Sequence, residues 1–499
     1  MTTRPRRGAI ALAVAGLLGY LAFSHTTFLV PDSAGTYAWA RSLLFDHDVD
    51  FRAEYARLGS IEGDERVRFA RPGETGLPGN PFGMGSGILW LPFVAVAEIA
   101  LRLGGAAACP GGYSAAHLLA ASAGTAIYGL AALVLAGAVA RRLVGSGAAI
   151  AAAVAVGFGT PFLAYLYHLP TYAHVNAAFG AAVTLVAAWR ARRGDTLSGW
   201  GLAGAAAGLA AVIRAQHIVL LVIPLALLAA RRRQPGNGAR FLVLLAGAAA
   251  VFSVQLAAWG ALYGSPFEIP QGAEFLDLAR PALIRLLFSP WHGLFPWSPV
   301  LLLAGLGLPL LWRRDPWLGA GVGAALLGEI YLAAAATDWW AGYSFGARRL
   351  VDLTPLWIVA VAPAFAWVGR RAGRAAAAGI AAAAVLLNLV LTAAVRTGEI
   401  SPFREIGAAE MLRGAARAVA ALPAYLAREL GGDRTVIQFV VHRDAPSPPV
   451  LDAAGGGVIA FTLVACWLLG LTVLVLLART WDENPAGPSA GEPAGTRLR

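Results

Sequence analysis

The chain has 499 residues, of which 58% are hydrophobic and 13% charged. Soluble domains carry about 25% charged residues, so this composition excludes an ordinary water-soluble globule and points to a protein whose solvent is mostly hydrocarbon. The net charge of +11 comes from arginine with no lysine, and the arginines cluster between apolar runs, which ties them to membrane boundaries and not to nucleic acid.

In chain order, Arg4, Arg6 and Arg7 precede an apolar run over 8–30. It is too long for a signal-peptide core and has no small-x-small cleavage site after it, so it reads as a retained first span. Further apolar runs occupy 83–103, 114–140, 148–167, 175–189, 197–213, 216–230, 241–262, 297–312, 317–336, 350–368, 375–395 and 457–478. Most approach the roughly 20 residues that cross a bilayer as a helix. If every run spans, the N-terminal arginines fall on the opposite side of the membrane from the later clusters. If 83–103 lies at or dips into the outer surface, then the N-terminus, Arg141–Arg142, Arg190 to Arg193, Arg231 to Arg233, Arg313–Arg314, Arg370 to Arg374 and the C-terminal tail all face the cytoplasm, as the positive-inside rule requires. Pro92, Glu98 and Arg102 in that run also suit an interfacial helix better than a lipid-exposed span.

The expected fold is therefore an all-α integral membrane protein with about twelve spans. A transmembrane module fills 1–395, with an outward loop at 31–113 that holds interfacial helices. A small outward segment follows at 396–456, helical from Ala408 to Leu430 and with a strand expected over 435–442. The last span is 457–478, and 479–499 is a Pro/Gly/Ala-rich disordered tail in the cytoplasm. Cys466 sits inside an apolar run, so no disulfide with Cys109 is expected.

Chemistry-bearing residues gather on the outward side. Asp32 stands where the first span leaves the bilayer. It reads either as a cap for the helix that follows, Ser33 to Phe45, or as a general base at the water–lipid boundary. Asp46, His47, Asp48 and Asp50 alternate like the start of a metal loop, but the glycine and glutamate of a calcium loop are missing. Asp46, Asp48 and His168 are the residues to which a divalent metal would fall, with a solvated turn as the plainer reading. Arg214 interrupts an apolar stretch on the outward side, and Arg348 and Arg349 follow a tryptophan-rich outward turn. The positive-inside trend explains none of the three. Each reads as a phosphate contact or as a side chain snorkelling to the headgroups. His168 and His174 flank a proline turn without the i,i+4 spacing of a zinc pair. Asp338 beside Trp339 and Trp340 suits sugar recognition, as it equally suits an aromatic belt.

Asp32 after the first span, the helix Tyr37 to Phe45, and Asn80-Pro81-Phe82-Gly83 leading into a second interfacial helix together resemble the GT-C superfamily of membrane glycosyltransferases. The similarity lies on the side of the protein O-mannosyltransferases and the aminoarabinose transferases of lipid A. Ser289 to Phe295 and Trp339 to Arg349 add to it. The resemblance implies a polyprenyl-phosphate sugar donor, an extracytoplasmic glycan, lipid or protein acceptor, and Asp32 as the base. It also implies Arg214, Arg348 and Arg349 at the donor phosphate, and His174, Asp338, Trp339 and Tyr37 near acceptor or sugar. The expected location is a bacterial plasma membrane, with the active site facing outward and membrane lipids as further partners. The Asp-Glu pair of that family is absent, because Ser33 follows Asp32, and this leaves metal use open. The rival readings are a transporter or flippase of a lipid-linked or anionic solute, and an enzyme that transfers a whole glycan.

Overall fold

The structure, a computed structural model, describes residues 31–58, 73–104, 111–342, 344–430, 461–470 and 472, together with Gly16 and Gly19. The 8–30 run beyond those two glycines, Tyr343, Cys109, the expected strand at 435–442, most of the 457–478 run and the tail lie outside the described residues. Among the described residues there is no β-strand, only an isolated bridge between Leu276 and Ala336.

The helices, in order, are α1 (Pro31–Arg41), α2 (Arg52–Leu58), α3 (Gly85–Leu103), α4 (Ala115–Val144), α5 (Ser146–Gly157), α6 (Phe162–Tyr167), α7 (His174–Gly194), α8 (Leu197–Ile213), α9 (Val222–Ala229), α10 (Asn237–Tyr263), α11 (Leu283–Phe288), α12 (Leu294–Trp297), α13 (Ala304–Arg314), α14 (Pro316–Ala335), α15 (Thr354–Arg371), α16 (Arg374–Arg396), α17 (Ala408–Leu430) and α18 (Phe461–Gly470). Tighter 3₁₀ turns at Ala215–Leu221, Pro299–Leu303 and Arg348–Leu353 lead into α9, α13 and α15. Among the described residues, six helical stretches have the length and composition to cross a membrane, namely α3, α4, α10, α14, α16 and α15 with its 3₁₀ lead-in, and four shorter apolar ones accompany them. Leu202, Leu242, Leu327 and Leu386 are exposed on α8, α10, α14 and α16, as expected of surfaces whose solvent is lipid.

Sequence chemistry sets the helix boundaries. Thr196 caps α8 by accepting from the Gly199 amide at 3.0 Å. Asp315 caps α14 by accepting from the Leu318 amide at 3.1 Å, with Pro316 in the first helical position, where its missing N–H costs nothing. The 148–167 run divides into α5 and α6 around Gly159 and Pro161. Between α8 and α10, a Cβ on Gly204 would collide with the Leu244 carbonyl. Glycine there lets the two backbones touch, the usual device where van der Waals packing and not the hydrophobic effect joins helices in lipid.

The bundle has two chemically distinct ends. At one, Arg192 near the end of α7 forks onto Asp315 at 2.9 and 2.5 Å. Arg231 reaches the Arg192 carbonyl at 2.5 Å and Asp195 at 2.7 Å, and Arg314 reaches the Leu143 carbonyl at 2.6 Å beside Arg141 and Arg142. These interhelical clusters form an arginine collar. α7 runs from His174 to that collar, a rise of about 27 Å at 1.5 Å per residue, close to the thickness of a bilayer's hydrocarbon core. The other end of α7 carries the site described below.

α3 lies beside the part of α4 remote from the collar. The Tyr128 hydroxyl donates to the Leu89 carbonyl at 3.1 Å, Trp90 Nε1 donates to Thr125 at 2.9 Å, and Glu98 meets His117 at 3.0 Å. Tyr128 stands about 20 Å along α4 from Arg141, and His117 about 36 Å. The helix therefore climbs away from the collar from first residue to last, although its length and composition alone would let it span.

Candidate active site

α1 begins with Pro31, and Asp32 falls in its first turn. The Asp32 side chain is turned to Arg348, with Oδ2 2.5 Å from Nη2, and the carboxylate is 22% exposed. Arg348 opens the 3₁₀ turn before α15 and lies 5.2 Å over the Tyr172 ring. The preceding segment is fixed by the Phe345 amide, which donates to the Tyr165 hydroxyl at 2.9 Å. Residues more than three hundred positions apart thus meet because α1, α6 and the 344–348 turn converge at the end of the bundle remote from the collar.

Arg214 belongs to a second, deeper cluster. It ends α8 in an extended conformation, and Gly83 makes room for this helix end, since a Cβ there would strike the Val212 and Ile213 carbonyls. Arg214 Nε lies 3.1 Å from Asp352 Oδ2. His174 Nδ1, at the start of α7, lies 2.7 Å from Asp352 Oδ1 and 2.8 Å from Arg214 Nη1. His217 stands between two carboxylates, Nε2 3.1 Å from Asp352 Oδ2 and Nδ1 2.6 Å from Glu329 Oε1. Gln216 closes the circuit, donating to Glu329 at 3.0 Å and accepting from Arg214 Nη2 at 3.2 Å. Asp352, His217 and Glu329 are fully buried, whereas the Arg214 side chain retains 20% exposure.

A third pair, Arg349 and Asp338, is joined at 2.7 Å through the carboxylate and at 2.6 Å through the Asp338 carbonyl, with Arg349 5.5 Å over Phe275. The three guanidiniums singled out in the sequence thus each face a carboxylate. An arriving anion would find Arg348 and Arg214 preorganised and partly open, at 13% and 20% side-chain exposure.

The other residues marked in the sequence have the following surroundings. Tyr37 is fully buried; its hydroxyl donates to the Gly112 carbonyl at 2.7 Å, and its ring packs against Trp90. This is a packing position between α1 and α3, because a residue five places along a helix from Asp32 lies on a different face. Trp339 is 4% exposed and wedged edgewise against Trp291 and Trp340, with Arg285 over its ring, so it offers no open platform for a sugar. Asp46 is ion-paired with Arg41. Asp48 accepts from Ser42 at 2.8 Å and from the Asp50 amide at 3.1 Å. His168 lies 3.4 Å from Arg396. Local cations and turn hydrogen bonds absorb these candidates separately, and among the described residues no cluster of three or more His, Cys, Asp or Glu side chains suits a metal.

Asp352, His217, Glu329 and Gln216 are the site residues that sequence reasoning missed. The available signal was Glu329, a lone carboxylate inside the 317–336 apolar run, since ionisable groups at such positions mark functional sites.

The described residues define a multi-pass, all-helical membrane protein with an ionic site at the end of its bundle opposite an arginine collar. Solved structures that resemble it include two membrane transferases. ArnT from Cupriavidus metallidurans bound to undecaprenyl phosphate matches at 15% identity and a TM-score of 0.48, covering 97% of this chain and 78% of ArnT. The arabinosyltransferase EmbB from Mycobacterium smegmatis matches at 16% identity and a TM-score of 0.43, covering 93% of this chain and 41% of EmbB. No protein-family model and no curated protein matches the sequence.

Proposed function

We propose that the chain is a glycosyltransferase of the GT-C type, acting at the outer face of a bacterial plasma membrane on a polyprenyl-phosphate sugar. The observation that carries this reading is the 2.5 Å contact of Asp32 with Arg348, at the end of the bundle away from the arginine collar. The acceptor hydroxyl oxygen attacks the anomeric carbon as its proton passes to Asp32. The bond from that carbon to the phosphate oxygen breaks, its electron pair leaves with the lipid phosphate, and the configuration inverts. Arg348 and Arg214 stabilise the charge that grows on the leaving phosphate, and fixed guanidinium forks suit that task better than mobile ammonium groups. Arg349 holds Asp338 on the sugar or acceptor side. The climb of α3 along the remote part of α4 supports an outward-facing loop over 31–113.

The pairing of Asp32 with Arg348 gives the donor phosphate a second role. It competes for the guanidinium and so releases the carboxylate to act as base. The acceptor is an extracytoplasmic glycan, lipid or protein.

The second reading is a carrier for a lipid-linked anion, favoured by the Glu329–His217–Asp352 chain buried among apolar helices, since such chains mark ion pathways. Purified protein in liposomes, given a labelled polyprenyl-phosphate monosaccharide, separates the two. Bond cleavage that depends on the protein and on Asp32 supports the enzyme; lipid movement without cleavage supports the carrier.

A further inference from the structure

Three side chains from different parts of the fold converge on one carboxylate, and none belongs to the helix that carries it. His174 comes from the start of α7, Arg214 from the end of α8 and His217 from the following 3₁₀ turn, while Asp352 precedes α15. Asp352 is fully buried and accepts at both oxygens, at 2.7 Å from His174 and 3.1 Å from each of Arg214 and His217. Glu329 on α14 then holds His217 from its other ring nitrogen at 2.6 Å.

A purely structural staple explains this arrangement poorly. Buried ion pairs are costly to desolvate, and apolar side chains of similar volume hold helices together at least as well. The cluster is also graded in exposure. Glu329, His217 and Asp352 are sealed off, whereas Arg214 and Gln216 at the edge of the cluster stay partly exposed. Arg214 Nε is committed to Asp352 and its Nη2 donates to Gln216, so the plane of the guanidinium is set from behind. Buried, fully connected polar networks hold their members rigidly, and preorganised donors need no rearrangement when charge develops.

We infer that Asp352 is a positioning residue that aims Arg214 at the phosphate of a lipid-phosphate ligand, with Glu329 acting through His217 to hold Asp352 in place. This inference rests on the donor class proposed above. It assigns no contact between Asp352 and the substrate; the carboxylate acts through Arg214.

The test is a double-mutant cycle on the full-length protein in nanodiscs, with radiolabelled undecaprenyl monophosphate as the probe. Asp352→Asn and Arg214→Lys should each weaken binding at least tenfold. The double variant should bind no more than about twofold worse than Arg214→Lys alone, because the first change acts through the second residue. If Asp352→Asn does not fold, Glu329→Gln takes its place in the cycle, with an expected loss of three- to tenfold and the same non-additivity. Losses that multiply, or an Asp352→Asn protein that folds and binds as the wild type does, would overturn the inference while leaving the donor class standing. A wild-type protein that shows no saturable binding would overturn the donor class first, and this inference with it.

Discussion

Asp32 Oδ2 and Arg348 Nη2 lie 2.5 Å apart, so the candidate base and a candidate phosphate ligand neutralise each other before any substrate arrives. A carboxylate held by a guanidinium at this distance is occupied by that contact until another anion draws the cation away. Asp32→Asn should therefore have two opposite effects. Transfer should fall by roughly 10²–10⁴-fold, the usual worth of a positioned base, while undecaprenyl phosphate binding should tighten several-fold because Arg348 no longer has a competitor. Parallel turnover and binding measurements on the purified variant check both. Transfer near the wild-type rate would remove Asp32 as the base.

Arg348 also tests the difference between charge and geometry. Arg348→Lys keeps the charge but not the planar fork. It should lower turnover by about 10²-fold, and Arg348→Gln by about 10³-fold, in line with the loss of a preorganised donor to a developing anion. Steady-state rates with donor and acceptor varied separately give the answer, and equal rates for the lysine and arginine proteins would show that only a diffuse positive field matters.

The orientation of the bundle is testable without any substrate. In a cysteine-free background, single cysteines at Leu103 and Glu268 should react with a membrane-impermeant maleimide in intact cells, whereas cysteines at Arg141 and Arg232 should react only after permeabilisation. Labelling at position 141 from outside would reverse the assignment of the collar to the cytoplasm and place the Asp32–Arg348 pair on the wrong side for a lipid-linked donor presented outside.

His292 predicts a pH response outside the site. It is almost fully buried, its Nε2–H donates to the Pro402 carbonyl at 3.1 Å, and Trp291 Nε1 reaches the same carbonyl at 3.3 Å. Burial, assisted by the positive charge of Arg348, pushes its pKa down to about 4. Because the folded value lies below the unfolded one of about 6.5, the contribution is fully present above pH 6.5 and is lost as pH falls towards 4, on the order of 3 kcal/mol at the limit. The attachment of the 396–407 segment should loosen across that window, seen as faster proteolysis or amide exchange there. His292→Gln should flatten the response, and an unchanged response in that variant would assign it to another group.

Much of the fold was legible because lipid simplifies the code. An apolar run bounded by arginines reads as a helix in hydrocarbon, and the charge asymmetry orients it. The sequence also marked a helix near Ala408 to Leu430, where α17 lies, and it marked Asp32, Arg214, Arg348 and Arg349 as ions out of place. What stayed hidden was pairing across the chain. Nothing local to Asp352 signals that it faces His174 and Arg214, because those contacts depend on how α7, α8 and α15 pack. The packed settings of Tyr37 and Trp339 were hidden for a related reason: an aromatic residue beside a polar one looks the same in sequence whether its ring lines a cavity or fills the core. His168 and Asp46 looked free as a string, yet fold against Arg396 and Arg41.

The most direct measurement is product analysis after incubating the purified protein with a polyprenyl-phosphate monosaccharide labelled in the sugar, alongside the Asp32→Asn variant. On the transferase reading, the wild type should separate label from lipid, transferring it or, without acceptor, slowly hydrolysing it, and the variant should not. Label that stays on the lipid with both proteins while the lipid crosses the bilayer would contradict it and make the chain a carrier.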